Sequence, residues 1–279
     1  MKKYKIGLAI WSLGPTTSEK DLRRQLEIAS KIGVKGVQLW CVDYGPNRPC
    51  FLDPDRCDRS TRRKICELVH SYGLEITGFC AQLSGPRGLG GLDDLEGLEA
   101  RIEKTKKALE LAVDMNAPIV TTHPGRIPED KSSTNYSIIK RSIEEIAKYA
   151  EDVGAYFCIE TGMERVHVLK DFILEIGSPA LKVNYDPANL LKYGTKEVVE
   201  GVRILGSLIV HTHAKDYNPN TRRETLGGGL VPWDEYIEAL KEIGYKGWFA
   251  IEDETGIDTI ESIKRGKMFL ERLLSEHNY

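Results

Sequence analysis

No stretch of this 279-residue chain is apolar for anything near the ~20 residues that cross a bilayer, so no membrane-spanning helix is expected. Charge of one sign is also missing. The 39 Lys and Arg stand against 42 Asp and Glu, for a formal net charge of −3, and nothing announces a surface for nucleic acid. The six cysteines, Cys41, Cys50, Cys57, Cys66, Cys80 and Cys158, contain no CxxC pair, and the nearest two, Cys50 and Cys57, lack zinc-site spacing. The opening MKKYKIGLAIWSLG is basic and then apolar, but it holds a Gly and runs into GPTTSEKD without a small-residue cleavage site. It reads as a first β-strand rather than a signal peptide. A cytoplasmic protein with reduced cysteines, mostly used in packing, is therefore expected. The segment after that strand, WSLGPTTSEK, has no GxGxxG. Its absence counts against an open, doubly wound nucleotide-binding sheet.

What the chain does contain is alternation. Apolar runs of strand length recur eight times: YKIGLAIW, KGVQLWCV, LEITGFCA, APIVTTH, AYFCIET, LKVNYD, SLIVHTH and GWFAIE. Between them lie stretches with helical spacing, such as SEKDLRRQLEIASKIG and NYSIIKRSIEEIAKYAEDVG. Helix ends are marked by Gly33, Gly73, Gly154, Gly177, Gly206 and Gly244, because Gly takes the left-handed conformation without a Cβ penalty. Eight alternating units in a chain of this size predict an α/β fold, a single (β/α)8 TIM barrel over residues 1–279.

Residues i and i+2 of a strand share a face. In SLIVHTH the set Leu208, Val210, Thr212 and Ala214 suits the helix-covered face, which sends Ile209, His211, His213 and Lys215 inward. The same parity turns His123, Glu160, Asp186 and Glu252 inward at the ends of the fourth, fifth, sixth and eighth strands, and places Gly7, Ala9 and Trp11 inside the first. Barrel active sites lie at this C-terminal face. A lone acid at a strand end is usually an N-cap for the next helix. Three carboxylates and an imidazole of common parity on four successive strands are better explained by one cation held by Glu160, Asp186, His213 and Glu252. That oxygen-rich set suits Mn²⁺ first, with Mg²⁺ or Co²⁺ as alternatives. His211, one layer deeper, reads as a hydrogen-bonded core histidine. His70, His167 and His277 read as surface residues.

The succession TTHPG, CIETG, VNYDPANL, VHTHAKD, LGGGLVPW and FAIED resembles the xylose-isomerase-like barrels of the sugar-phosphate isomerase/epimerase group, among them ketose 3-epimerases, inosose dehydratases and hydroxypyruvate isomerases. The resemblance covers nearly the whole chain. It implies a divalent metal held at Glu160, Asp186, His213 and Glu252, a family His at His123, a family Lys at Lys215 and a family LGxG motif at Leu226 to Gly229. The second strand carries Gln38 where the family often has an acid, and Asn189 stands where ketose 3-epimerases have His. AKDYN follows His213 where those enzymes carry a Gly-Glu pair. These departures bear on the substrate rather than on the metal.

The constellation implies carbon-acid chemistry on a small-molecule sugar. A metal on a carbonyl oxygen and its neighbouring hydroxyl stabilises an enediolate. Glu160 and Glu252 serve as the acid/base pair, with His123 as a third catalytic candidate. Trp11, Gln38, His123, Asn189, Lys215 and Arg222 are the expected substrate contacts, and Arg126 is a further candidate for an anionic group. Isomerisation, epimerisation and dehydration all remain open. An endonuclease-IV-type nuclease would need more histidines and a basic face. A non-catalytic sugar-binding protein would not need a base on each side. The proteins it resembles are commonly homodimers or tetramers.

Overall fold

The computed structural model describes residues 4–45 and 47–279. Met1 to Lys3, at the start of the expected 1–279 domain, and Pro46 lie outside the described residues. Eight parallel strands close into a barrel in chain order: β1 (Ile6–Ala9), β2 (Gly36–Trp40), β3 (Glu75–Cys80), β4 (Ile119–Thr122), β5 (Tyr156–Glu160), β6 (Leu181–Tyr185), β7 (Ile209–Ala214) and β8 (Phe249–Ile251). Each lies within its expected run or runs one residue past it, and most are shorter. The first is cut hardest, because residues Ile10–Leu13 turn into a 3₁₀ helix that carries Trp11 off the strand.

Helices α1 (Glu19–Ile32), α2 (Arg59–Ser71), α3 (Leu98–Asp114), α4 (Thr134–Val153) and α5 (Val166–Ile176) follow the first five strands. Local signals explain their limits. The Ser18 side chain accepts from the Asp21 amide, and Gly33 closes α1 at φ 86°, ψ 23°. Ser133 and Gly154 do the same for α4. Leu22, Leu26, Ala29 and Ile32 give α1 one buried stripe. After β6 the chain makes two short helices, α6 (Pro187–Tyr193) and α7 (Glu200–Leu205), and α8 (Trp233–Glu242) and α9 (Thr259–Glu276) complete the ring. Gly206 departs from the expected left-handed cap. It takes φ 53°, ψ −127° and leads into a 3₁₀ turn before β7. No helix of the described residues is long and apolar enough to cross a membrane.

The parity holds along the register. Gly7 pairs with Ala250, and Ala250 with His213, so these positions share a layer. Phe79, Phe157, Tyr185 and Phe249 pack outward under the helices. The deeper layer of the barrel interior carries hydrogen-bonded polar groups. His211 shares hydrogen bonds with Asn184 Oδ1 at 2.9 Å and Thr77 Oγ1 at 3.3 Å. Burial first, and then the neighbouring His213, drive its pKa down to about 3, so it is a neutral core residue as expected. All six cysteines are free, and only Cys66 is not fully buried. His70 is exposed and His167 half-buried. His277 lies just beyond α9, clamped between Asp234 and Glu238, and is less free than a plain surface residue.

Candidate metal centre

Glu160, Asp186, His213 and Glu252 each offer a ligand atom within 4.8 Å of the others. His213 Nδ1 lies 3.4 Å from Glu160 Oε1, 3.4 Å from Glu252 Oε2 and 3.8 Å from Asp186 Oδ2. Its other nitrogen, Nε2, is 2.8 Å from Gln38 Oε1, and Gln38 Nε2 donates to Thr121 Oγ1 at 2.9 Å. With the Gln38 carbonyl accepting from Nε2–H, Nδ1 faces three carboxylates, and in the neutral ring it is the nitrogen that carries the lone pair. This is the tautomer that a metal ligand needs, fixed by an outer partner. Gln38 is fully buried beneath the centre and supports His213 instead of lining the cavity above it.

Asp186 caps a helix with one oxygen and leaves the other available to a cation. Oδ1 accepts from the Asn189 amide at 2.9 Å and caps α6. Oδ2, in a residue with no exposed surface, has no hydrogen-bond partner. The Lys215 ammonium lies 3.7 Å from it, beyond hydrogen-bond reach and shared with Glu252 and Glu254, so an oxygen buried among two further carboxylates stays short of positive charge. Protonation is one remedy. Burial alone would push the His213 pKa down, but Glu160 and Glu252 hold it well above its ordinary value. A divalent cation is the other remedy, and the oxygen-rich donor set fits one.

The remaining contacts orient the carboxylates. Trp11 Nε1 donates to Glu252 Oε1 at 2.8 Å, and Lys215 Nζ reaches Glu252 Oε2 at 2.9 Å and Glu254 at 3.0 Å. Asn189 Nδ2 donates to Glu160 Oε1 at 2.9 Å and sits 3.4 Å from His123 Nε2, which itself is 3.4 Å from Glu160. Over these groups opens a cavity of about 160 Å³, lined by Trp11, His123, Glu160, Asn189, Lys215 and Glu252 among the expected residues. Arg222 does not reach it. Its guanidinium lies on the exposed loop after β7, 3.4 Å from the Lys192 carbonyl. Arg126 is exposed on the loop after β4 and also stays outside.

Trp40, Gln82 and Glu254 also line the cavity. Parity reaches all three, two positions beyond Gln38, Cys80 and Glu252, but only if the strand face is extended into the loops. Tyr193, on α6, carries no such signal. Nor does Glu164, buried on the loop after β5 with neither carboxylate oxygen hydrogen-bonded. Burial raises its pKa to about 7, against the opposing pull of His123.

Asp216, beside Lys215, explains the glycine run that follows. Its carboxylate accepts from the amides of Tyr217 (2.8 Å), Gly227 (2.9 Å), Gly229 (3.1 Å) and Val231 (3.1 Å) and from Trp233 Nε1 (2.9 Å). A Cβ on Gly229 would meet Tyr217 O at 2.5 Å, so only Gly lets the backbone wrap so closely. Asp216→Ala is expected to leave several buried donors unpaired and to cost about 2–4 kcal/mol of stability. Urea unfolding measures it, and a loss under ~0.5 kcal/mol, the scale of an ordinary surface change, would refute this role.

Known proteins show the same frame. The xylose isomerase-like TIM barrel family pattern matches residues 26–273. An uncharacterized protein of Methanocaldococcus jannaschii is 30% identical over 186 residues, which span 61% of this chain and 62% of that protein. L-ribulose-5-phosphate 3-epimerase UlaE of Escherichia coli is 22% identical over 96% of this chain and 94% of its own. The crystal structure of a xylose isomerase domain protein from Planctomyces limnophilus superposes with a TM-score of 0.80 at 26% identity, covering 98% of each chain. With a pattern that spans most of its length and a closed barrel to match, the chain belongs to the xylose isomerase-like TIM barrel family.

Proposed function

We propose that this protein is a divalent-metal-dependent isomerase or epimerase of a keto-sugar, with Glu160 and Glu252 as its acid/base pair. The observation that carries this reading is the convergence of three carboxylates, two of them buried, on Nδ1 of His213, one of them with an oxygen that has no hydrogen-bond partner. The sugar-epimerase name of the full-length Escherichia coli relative supports it.

Glu160, Asp186, His213 and Glu252 would hold the cation, Mn²⁺ by preference. A divalent ion there supplies Lewis acidity that lowers the cost of the negative charge developing on the sugar oxygens. The residues of the chain handle the protons. Glu160 ends β5 and Glu252 directly follows β8, three strands away, and the two flank whatever occupies the cavity. One removes the proton beside the carbonyl, and the other delivers a proton to the opposite face. Trp11 and Lys215 each hold one oxygen of Glu252, so its carboxylate is oriented before substrate arrives. Asn189 does this for Glu160, and His123, beside the same oxygen, is placed to hold a sugar hydroxyl. Trp11 and Trp40 meet edge to face with centroids 5.5 Å apart and form an apolar wall that limits water. The site belongs to a protein that works in the cytoplasm on a small molecule.

The test is solvent exchange. With Mn²⁺ and D₂O, a panel of ketoses, inososes and 3-keto-glycosides is expected to include one that gains deuterium at the carbon next to its carbonyl and gives an epimer or isomer. Failure of every member to exchange would defeat the proposal, and loss of water in place of rearrangement would make the enzyme a dehydratase.

A further inference from the structure

Beside the reaction cavity lies a second cleft, of about 520 Å³, walled by the loop after β7, the loop after β8 and α9. Four cations border it: Lys192, Arg222, Arg223 and Arg265. Among the described residues none of the four has a carboxylate partner. Arg222 and Arg223 reach only backbone carbonyls, of Lys192 at 3.4 Å and Glu254 at 2.9 Å. Arg265 is 3.5 Å from Thr225 Oγ1, and Lys192 lies over the Tyr193 ring. Many exposed arginines elsewhere are paired, as Arg203 is to both oxygens of Glu242, and those that are not, such as Arg24 and Arg126, do not gather around one cleft. The one acid in the wall, Glu224, is turned to the Asn218 amide at 3.0 Å and the Thr225 N–H at 2.9 Å. In a chain of net charge −3, four cations without a carboxylate partner around one cleft give it a local positive potential that favours an anion.

The backbone and the position agree. Arg222 sits at φ +62°, in the left-handed region that side chains other than Gly seldom adopt. Lys192 lines both this cleft and the reaction cavity, and Glu254, whose carbonyl anchors Arg223, lines the cavity too. A molecule whose reacting end lies between Glu160 and Glu252 would extend its far end into the cleft.

We propose that Lys192, Arg222, Arg223 and Arg265 form a subsite for an anionic group, a phosphate ester or a carboxylate, at the end of the sugar remote from the reacting carbon. Guanidinium forks match the paired oxygens of either group. The assignment to a sugar rests on the proposed function, whereas the anion binding does not, and the experiment separates them. Sulfate and inorganic phosphate are titrated by calorimetry into the protein, with and without Mn²⁺, and into the triple variant Arg222→Ala/Arg223→Ala/Arg265→Ala. Saturable binding is expected, weakened about tenfold or more in the variant, as loss of charged hydrogen bonds requires. Arg265→Glu alone, on the exposed face of α9, is expected to act in the same direction without altering the loop. In parallel, a neutral ketose, its terminal phosphate and the matching keto-uronate are compared in deuterium exchange. The anionic forms should have the higher kcat/KM, and the triple variant should reduce that preference mainly through KM. Preference for the phosphate or the uronate identifies the group. Equal anion binding by wild type and variants, or a neutral sugar preferred, overturns the subsite. Anion binding that depends on these arginines without exchange on any sugar leaves the subsite standing and removes the proposed reaction.

Discussion

Glu160→Gln and Glu252→Gln are each expected to lower turnover by at least ~10²–10⁴-fold, the usual contribution of a general acid or base. Gln keeps an oxygen for the cation and for the existing donors, Asn189 at position 160 and Trp11 or Lys215 at position 252, so the pocket is preserved while the base is removed. The two variants should also differ in kind. In a two-base epimerase, the variant lacking the deprotonating carboxylate stops exchange of the carbon-bound proton with solvent. The other still exchanges it and forms product slowly. A single-base isomerase or a dehydratase would instead have one glutamate controlling both steps. Exchange followed by proton NMR, beside product formation, reads the difference. Near-native turnover in both variants would move the base to His123, an inward imidazole at the cavity that is not a proposed ligand and can accept a proton near neutral pH.

Chelation is expected to abolish activity, with Mn²⁺, Co²⁺ or Mg²⁺ restoring it, and to lower the melting temperature without unfolding the barrel. A ligand at 100 times its Kd stabilises the state it binds by about 2.7 kcal/mol. Saturating Mn²⁺ should therefore raise the melting temperature of the native protein visibly and that of a ligand variant hardly at all. Asp186→Asn is the informative substitution. Asn is as good an N-cap as Asp, so the bond to the Asn189 amide and the start of α6 are retained, while the orphaned Oδ2 is replaced by an amide that offers a cation no charge. His213→Ala removes the nitrogen that faces all three carboxylates. One tightly bound metal per chain in both variants, measured by elemental analysis, would refute the ligand assignment. Full activity in metal-free protein would refute metal dependence itself.

How much of this was legible beforehand depends on the range of the physics involved. The barrel follows from local periods: eight short apolar runs, amphipathic stretches between them and glycines at most helix ends, each read within a few residues of sequence. The quartet follows from the same source. The two-residue period of a strand fixes which face a side chain takes, and strand closure brings inward strand ends together. Where the strand stopped early, local reading weakened. Trp11 reached the site from a 3₁₀ turn and not from β1, and Gln38, of the right parity, was placed below the cavity because depth along the barrel axis is set by register with distant strands. Only the tertiary structure showed that Asp186 is cap and candidate ligand at once, since that requires knowing where each of its two oxygens ends. The same holds for Glu164, Tyr193 and the basic cleft, built from loops without a period and from helix positions whose period does not say which loop they face. Their neighbours are chosen by the closing of the ring across gaps of tens of residues, which composition and spacing do not encode.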